Sequence, residues 1–165
     1  MSAVPARVAW AVELLDPGPA EHVLEVGCGP GVAAELIGAR LTTGRMLAVD
    51  RSAVAVRRTA ARVAGMPVDV RQCALADLNH DGEFDAALTI NLNAFWTRPD
   101  GPDLAVLARA LRPGGRMLVL YGADGPTTAG RVTGPITAGM AALGLAGVHM
   151  VNGAHGLGVV ARRPT

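Results

Sequence analysis

His22-Val-Leu-Glu-Val-Gly-Cys-Gly-Pro-Gly31 decides the fold, together with the second apolar run Met46-Leu-Ala-Val-Asp50. A short apolar run that stops at closely spaced glycines reads as a buried strand ending in a tight turn. Beyond the turn, Ala33, Leu36, Ile37 and Leu41 recur at helical spacing within Val32 to Leu41. The glycines therefore stand between a strand and a helix. There they let a ligand approach the backbone and the free N–H groups of the helix start. The second run is another strand, and it leaves a carboxylate, Asp50, at its C-terminal end. In an open α/β sheet that edge is where ligands bind, and an acid there suits a ribose diol.

The glycine spacing bears on which nucleotide. A dinucleotide fingerprint, G-x-G-x-x-G, places its third glycine three residues after the second. That position is Val32. The chain has Gly27, Gly29 and Gly31 instead, a G-x-G-x-G pattern with Glu25 two residues ahead. Glu25-Val-Gly-Cys-Gly-Pro-Gly31, set between a strand and a helix and followed by Asp50, resembles the first motif of the class I S-adenosylmethionine-dependent methyltransferases.

Composition bounds the rest. The 165 residues suit one domain with a sizeable core. Half of them are hydrophobic but only 3% are aromatic, so Ala, Val and Leu must build the core. A net charge of +1 gives no electrostatic footing for nucleic acid or an anionic membrane. Arg57, Arg58 and Arg62 read as the solvated face of a helix. No apolar run is long enough to span a bilayer, and no signal peptide is evident, so a cytoplasmic location is expected. Cys28 and Cys73 suggest neither a disulfide framework nor a metal site.

The strand–helix unit repeats. Pro5 to Leu15 reads as an N-terminal helix. Val54 to Val63 is a helix stopped by Gly65 and Pro67. Val68–Gln72 and Phe84–Ile90 are the third and fourth strands. Leu104, Leu107, Ala108 and Leu111 mark a helix, with Pro102 in its first turn and Pro113-Gly-Gly115 after it. Arg116 to Tyr121 is the fifth strand, and Thr127 to Leu143 a Gly/Ala-rich helix. Val148–Asn152 and Leu157–Ala161 form a hairpin around Gly153-Ala-His-Gly156. Such alternation implies a mostly parallel sheet with helices on both faces. The resemblance adds detail: a three-layer α/β/α sandwich of Rossmann-like methyltransferase type, with seven strands in order 3-2-1-4-5-7-6 and strand seven antiparallel. It divides a single domain, 1–165, into a short N-terminal lid helix (1–20), a cofactor-binding core (21–121) and a helix plus hairpin (122–165).

The resemblance covers roughly Glu21 to Tyr121. Leu111-Arg-Pro-Gly-Gly-Arg-Met-Leu-Val119 matches the family's turn into the fifth strand. S-adenosylmethionine is the implied cofactor, held by Glu25, Gly27, Cys28, Gly29, Gly31, Asp50, Arg51, Ala74, Leu75 and Asn91. One position departs from the pattern. After the third strand the family often carries an acid that binds the adenine amino group, and here Ala74 stands in its place. Recognition of adenine then falls to backbone groups of Ala74 and Leu75, with Asp77 as a substitute.

Methyl transfer from a sulfonium is a displacement at carbon, so the protein mainly aligns the acceptor and excludes competitors. A base is needed only for an acceptor protonated at working pH. There are five aromatic residues, Trp10, Phe84, Phe95, Trp96 and Tyr121. Phe95, Trp96 and Tyr121 fall at the ligand edge, and the resemblance sets Trp10 in the lid. Together they read either as a pocket for an apolar or planar acceptor or as the cap of the core. Asn91-Leu-Asn93 sits where some methyltransferases of adenine or amide nitrogen carry N-P-P-Y. Both prolines and the tyrosine are missing, which argues against that chemistry. Asn93 is a candidate to orient the acceptor. Among the histidines, His22 reads as structural, His80 as solvated and His149 as ambiguous. His155, in the hairpin turn, is the candidate base, with Tyr121 as another.

These readings favour transfer of a methyl group to a small-molecule acceptor, with a homodimer possible and no nucleic-acid or membrane partner. Two alternatives stand beside them. One is a cofactor-binding subunit that is degenerate or needs a partner. The other is a nicotinamide-dependent oxidoreductase, against which Val32 argues.

Overall fold

The computed structural model describes residues 3–123 and 129–165. Its strands are β1 (His22–Val26), β2 (Arg45–Asp50), β3 (Val68–Gln72), β4 (Phe84–Ile90), β5 (Leu111–Gly122), β6 (Ala146–Gly153) and β7 (Gly156–Arg162). Its helices are α1 (Ala6–Leu15), α2 (Val32–Gly38), α3 (Ala53–Arg62), α4 (Ala94–Thr97), α5 (Asp103–Ala110) and α6 (Ala129–Ala142), with a 3₁₀ turn at Leu75–Asp77. One sheet holds all seven strands in the order β3-β2-β1-β4-β5-β7-β6. β7 runs antiparallel to both neighbours, and the other pairings are parallel.

Strand alternation divides the core into two layers. Val23, Ala48, Leu88, Leu118 and Leu120 pack with Val8, Ala11, Val12 and Leu15 of α1 and Ala33, Ala34 and Ile37 of α2. Leu24, Val26, Val49, Met117 and Val119 face Leu104 and Leu107 of α5 and Val132, Ile136 and Met140 of α6. With few aromatic residues, the layers are filled by aliphatic side chains in close contact.

The structure revises several expectations. α1 covers the sheet rather than the mouth of a site, because its apolar stripe is committed to the core. Arg116 fixes its end: the guanidinium donates to the Leu15 carbonyl at 2.8 and 3.0 Å and grips Glu21 at 2.7 and 2.8 Å. That contact holds the Glu21 carboxyl below the usual range. β5 begins at Leu111 rather than Arg116, since Leu111 already pairs with Phe84 before a bulge through Pro113-Gly-Gly115. α4 and the 3₁₀ turn are too short to show a period. α6 keeps its helix around Pro135, and its expected start at Thr127 lies outside the described residues. Among the described residues no helix is long and apolar enough to cross a membrane.

Candidate functional site

The order of strand addition reverses between the parallel neighbours β1 and β4, so their following connections leave on opposite faces and open a crevice at the C-terminal edge. A cleft of about 520 Å³ lies there. Gly27, Asp50 and Arg51 form one wall, Cys73 to Ala76 a second, and Ile90 to Ala94 with Thr97, Arg98 and Asp103 the third.

The glycine turn is tied into this cleft. The N–H groups of Gly27 and Cys28 donate to the Val49 carbonyl at 2.8 and 3.1 Å. Asp50 accepts from the Gly29 N–H (3.0 Å) and the Ser52 N–H (2.9 Å), one bond to each oxygen. The carboxylate thus stitches two loops together and remains half-buried at the cleft wall. Gly29 has φ of +53°, and a side chain built there would meet nothing within 4 Å, so its backbone faces open space. Gly31 serves packing: an added Cβ would lie 2.8 Å from the Cα of Thr59 on α3. The Thr59 hydroxyl donates to the Gly29 carbonyl at 3.0 Å.

Glu25 lies beneath this turn with 2% of its surface exposed, and its Oε2 has no hydrogen-bond partner. Burial, and secondarily the charge of Asp50, push its carboxyl up to about 8. Burial likewise raises the Cys28 thiol to about 11, so it is neither a nucleophile nor a thiolate ligand.

Of the residues read as cofactor-binding, Gly27, Asp50, Arg51, Ala74, Leu75 and Asn91 line the cleft. Glu25, Cys28, Gly29 and Gly31 are not among its lining side chains and build the turn behind it. Asn91 adopts φ of +63°, and its Oδ1 accepts from the Gly122 N–H at 2.8 Å. It joins the ends of β4 and β5 while lining the cleft. Asp77 is exposed and does not line it.

The acceptor and base candidates need correction. Tyr121 is fully buried, and its hydroxyl donates to the Leu92 carbonyl at 2.6 Å. Burial pushes its phenol far above the ordinary value, which removes it as a base. Phe95 is a core residue at 1% exposure. Trp96 is half-buried, donates to Asn93 Oδ1 at 3.2 Å and lies under Arg131. Trp10 packs over the hairpin: a Cβ at Gly156 would come within 2.7 Å of its ring. These aromatics cap the core and hairpin, and none of them lines the cleft; Asn93 does. His155 is exposed, its carbonyl accepts from the Ala123 N–H, and it too lies off the cleft, because β7 is separated from β4 by β5. Sequence reasoning missed Leu92, Thr97, Arg98 and Asp103 as lining residues. They belong to a β4–α5 connection whose path no periodicity reports.

The remaining histidines are held by neighbouring groups, and His80, expected to be solvated, is half-buried edge-on against Phe84. His22 contacts Arg112 at 3.2 Å on the opposite edge, His80 pairs with Glu83 at 2.9 Å, and His149 bonds the Gly147 carbonyl at 2.8 Å.

A family model described as a methyltransferase domain matches residues 23–115, from β1 into the bulge of β5, and the chain belongs to that family. An uncharacterized 37.1 kDa transposon protein of Streptomyces fradiae is 33% identical over 114 residues. The match takes in 66% of this chain and 32% of that protein, so the chain spans about a third of the curated relative's length. An S-adenosylmethionine-dependent O-methyltransferase of Thermotoga maritima superposes with a TM-score of 0.80 at 13% identity, covering 100% of this chain and 67% of that one. The geranyl diphosphate C-methyltransferase of Streptomyces coelicolor, solved with S-adenosyl-L-homocysteine, gives 0.76 at 17% identity over 96% of this chain and 75% of that one. At such identities the likeness is one of fold. The family is thus that of the methyltransferase domain, and the architecture is the one shared with these S-adenosylmethionine-dependent enzymes.

Proposed function

We propose that the chain binds S-adenosylmethionine in the cleft above β1 and β4 and directs its methyl group to a small-molecule acceptor. The observation that carries this reading is the turn Gly27–Gly31 locked to Asp50 by the 3.0 Å bond from Gly29. The residues present suit the cofactor. Asp50 is placed for the ribose diol, the open backbone at Gly29 for the methionine part, and Cys73 to Ala76 for the flat base.

When bound, S-adenosylmethionine would supply an already activated methyl, whose transfer to an acceptor's lone pair would leave the electron pair of the broken S–CH₃ bond on sulfur. The chain's own part is to hold the sulfonium side of the cleft in place and to exclude water. Among the described residues no histidine, lysine or tyrosine hydroxyl lines the cleft. An acceptor that must lose a proton would give it to solvent or to one of the lining carboxylates, Asp50 or Asp103. The same observation supports a second reading, in which a partner subunit completes the acceptor side. The chain acts in the cytoplasm on either reading.

Calorimetric titration with S-adenosylmethionine, S-adenosylhomocysteine and NAD tests the proposal. Binding of the first two in the micromolar range, without NAD, is the expected result. Asp50→Ala should weaken both by about tenfold or more, through the lost diol contact and a loosened turn. Absence of binding to any of the three would sink the reading.

A further inference from the structure

We propose that the β4–α5 side of the cleft is an oxyanion subsite, so that the methyl acceptor carries a carboxylate or phosphate group bound by Asn93 and Arg98. This inference rests on the function proposed above. Two asparagines stand on this wall, and hydrogen bonds within the protein fix which way each amide is turned. An indole N–H can only donate, and Trp96 Nε1 lies 3.2 Å from Asn93 Oδ1. A backbone N–H can only donate too, and that of Gly122 lies 2.8 Å from Asn91 Oδ1. Each amide oxygen is thereby spent inside the protein, and each NH₂ is left over. The Asn93 amide is held in place, since the Trp96 ring is half-buried under the Arg131 guanidinium, 5.9 Å away.

Arg98 adds the charge. Among the described residues its guanidinium makes no hydrogen bond, and its one charged neighbour is Asp103, with Nη2 3.6 Å from Oδ2. The Asp103 side chain is 9% exposed and that of Arg98 72%, so the carboxylate steers the guanidinium without consuming its N–H groups. Asn91, Asn93 and Arg98 all line the cleft. Asp103 borders it as well, and Arg98 is the charge that offsets it. To a ligand this wall therefore offers N–H donors with a cation among them. An oxyanion carries only lone pairs, and a guanidinium beside neutral donors matches it through short, charge-assisted hydrogen bonds. An uncharged acceptor would leave the guanidinium unmatched. The cofactor, placed against Asp50, Gly29 and Cys73 to Ala76, takes the other walls, which leaves this one to the acceptor.

The test is NMR of isotope-labelled protein saturated with S-adenosylhomocysteine and titrated with acetate and with phosphate at constant ionic strength, chloride being the control. Saturable shifts of the Asn93 NH₂ and Arg98 Nε–H signals are expected with at least one of the two anions and not with chloride. Response to acetate alone assigns a carboxylate on the acceptor, and response to phosphate alone a phosphate group. Arg98→Gln should weaken the anion by about tenfold or more. Asn93→Asp keeps an oxygen for the Trp96 N–H but replaces the NH₂ by a charged oxygen, and it should weaken the anion at least as much. Shifts that do not saturate, or binding that both variants retain, would overturn the inference. So would an anion that binds the free protein and is expelled by S-adenosylhomocysteine, because the donors would then serve the cofactor's own carboxylate. Binding of S-adenosylhomocysteine is measured before any anion is added, and its failure refutes the proposed function itself.

Discussion

Replacing Glu25 by glutamine should stabilise the fold, and by an amount that grows with pH. The carboxyl is fully enclosed, one of its oxygens lacks a partner, and its folded value stands near 8 against an ordinary 4.5. Burial is the first cause and the nearby Asp50 charge the second. Between these two values the unfolded chain releases the proton while the folded chain keeps it. The folded state then binds more protons, so stability falls as pH rises through that window. At about 1.4 kcal/mol per pH unit, the mismatch costs about 3 kcal/mol at pH 7 and about 5 kcal/mol above pH 8. Glutamine has nearly the same shape and does not titrate. It removes that cost and leaves an amide to find a partner, which offsets about 1 kcal/mol of the gain. Denaturant unfolding of both proteins at pH 5, 7 and 8.5, without cofactor, measures the difference. The variant's advantage should be near zero or slightly negative at pH 5 and about 2 kcal/mol at pH 7, widening further at pH 8.5. Parallel stability curves across this range would refute the reasoning, since they would mean that Glu25 is ionised in the folded chain.

Two other substitutions probe the loops that shape the cleft. Tyr121→Phe keeps the buried ring but deletes the 2.6 Å bond to the Leu92 carbonyl; it should cost about 1–2 kcal/mol in denaturant unfolding and weaken S-adenosylhomocysteine several-fold, without altering the pH profile of any methyl transfer. Gly31→Ala forces a Cβ to 2.8 Å from the Thr59 backbone at a φ of +86°; a loss of about 2–4 kcal/mol in unfolding is expected, and an unchanged midpoint would contradict the packing role given to this glycine.

The glycine turn and the wall of the cleft beside it were largely legible in the chain. Short-range patterns carry it: an apolar run, glycines at fixed spacing, and an acid at the end of the next strand. A strand followed by a turn and a helix is built from neighbouring residues, so Gly27, Gly29, Gly31 and Asp50 could be assigned before any contact was known. The placement of the aromatic residues was not legible in the same way. Phe95, Trp96 and Tyr121 stand at the ligand edge in chain order, but strand alternation and the β4–α5 connection turn Phe95 and Tyr121 into the core. Trp10 illustrates the same limit. Its helix was visible, whereas its seat over Gly156 depends on a hairpin more than a hundred residues away.

By itself, then, the sequence determined the strand–helix alternation, the sheet that follows from it, and the glycine turn beside Asp50, because each rests on periodicity or backbone conformation within a few residues. Only the tertiary structure decided which polar groups are left without partners. Glu25 is raised to about 8 because the closed fold buries it, with its Oε2 left without a partner. Desolvation and hydrogen-bond satisfaction depend on all the atoms around a group, most of them distant in the chain, and so they appear only once the layers have closed.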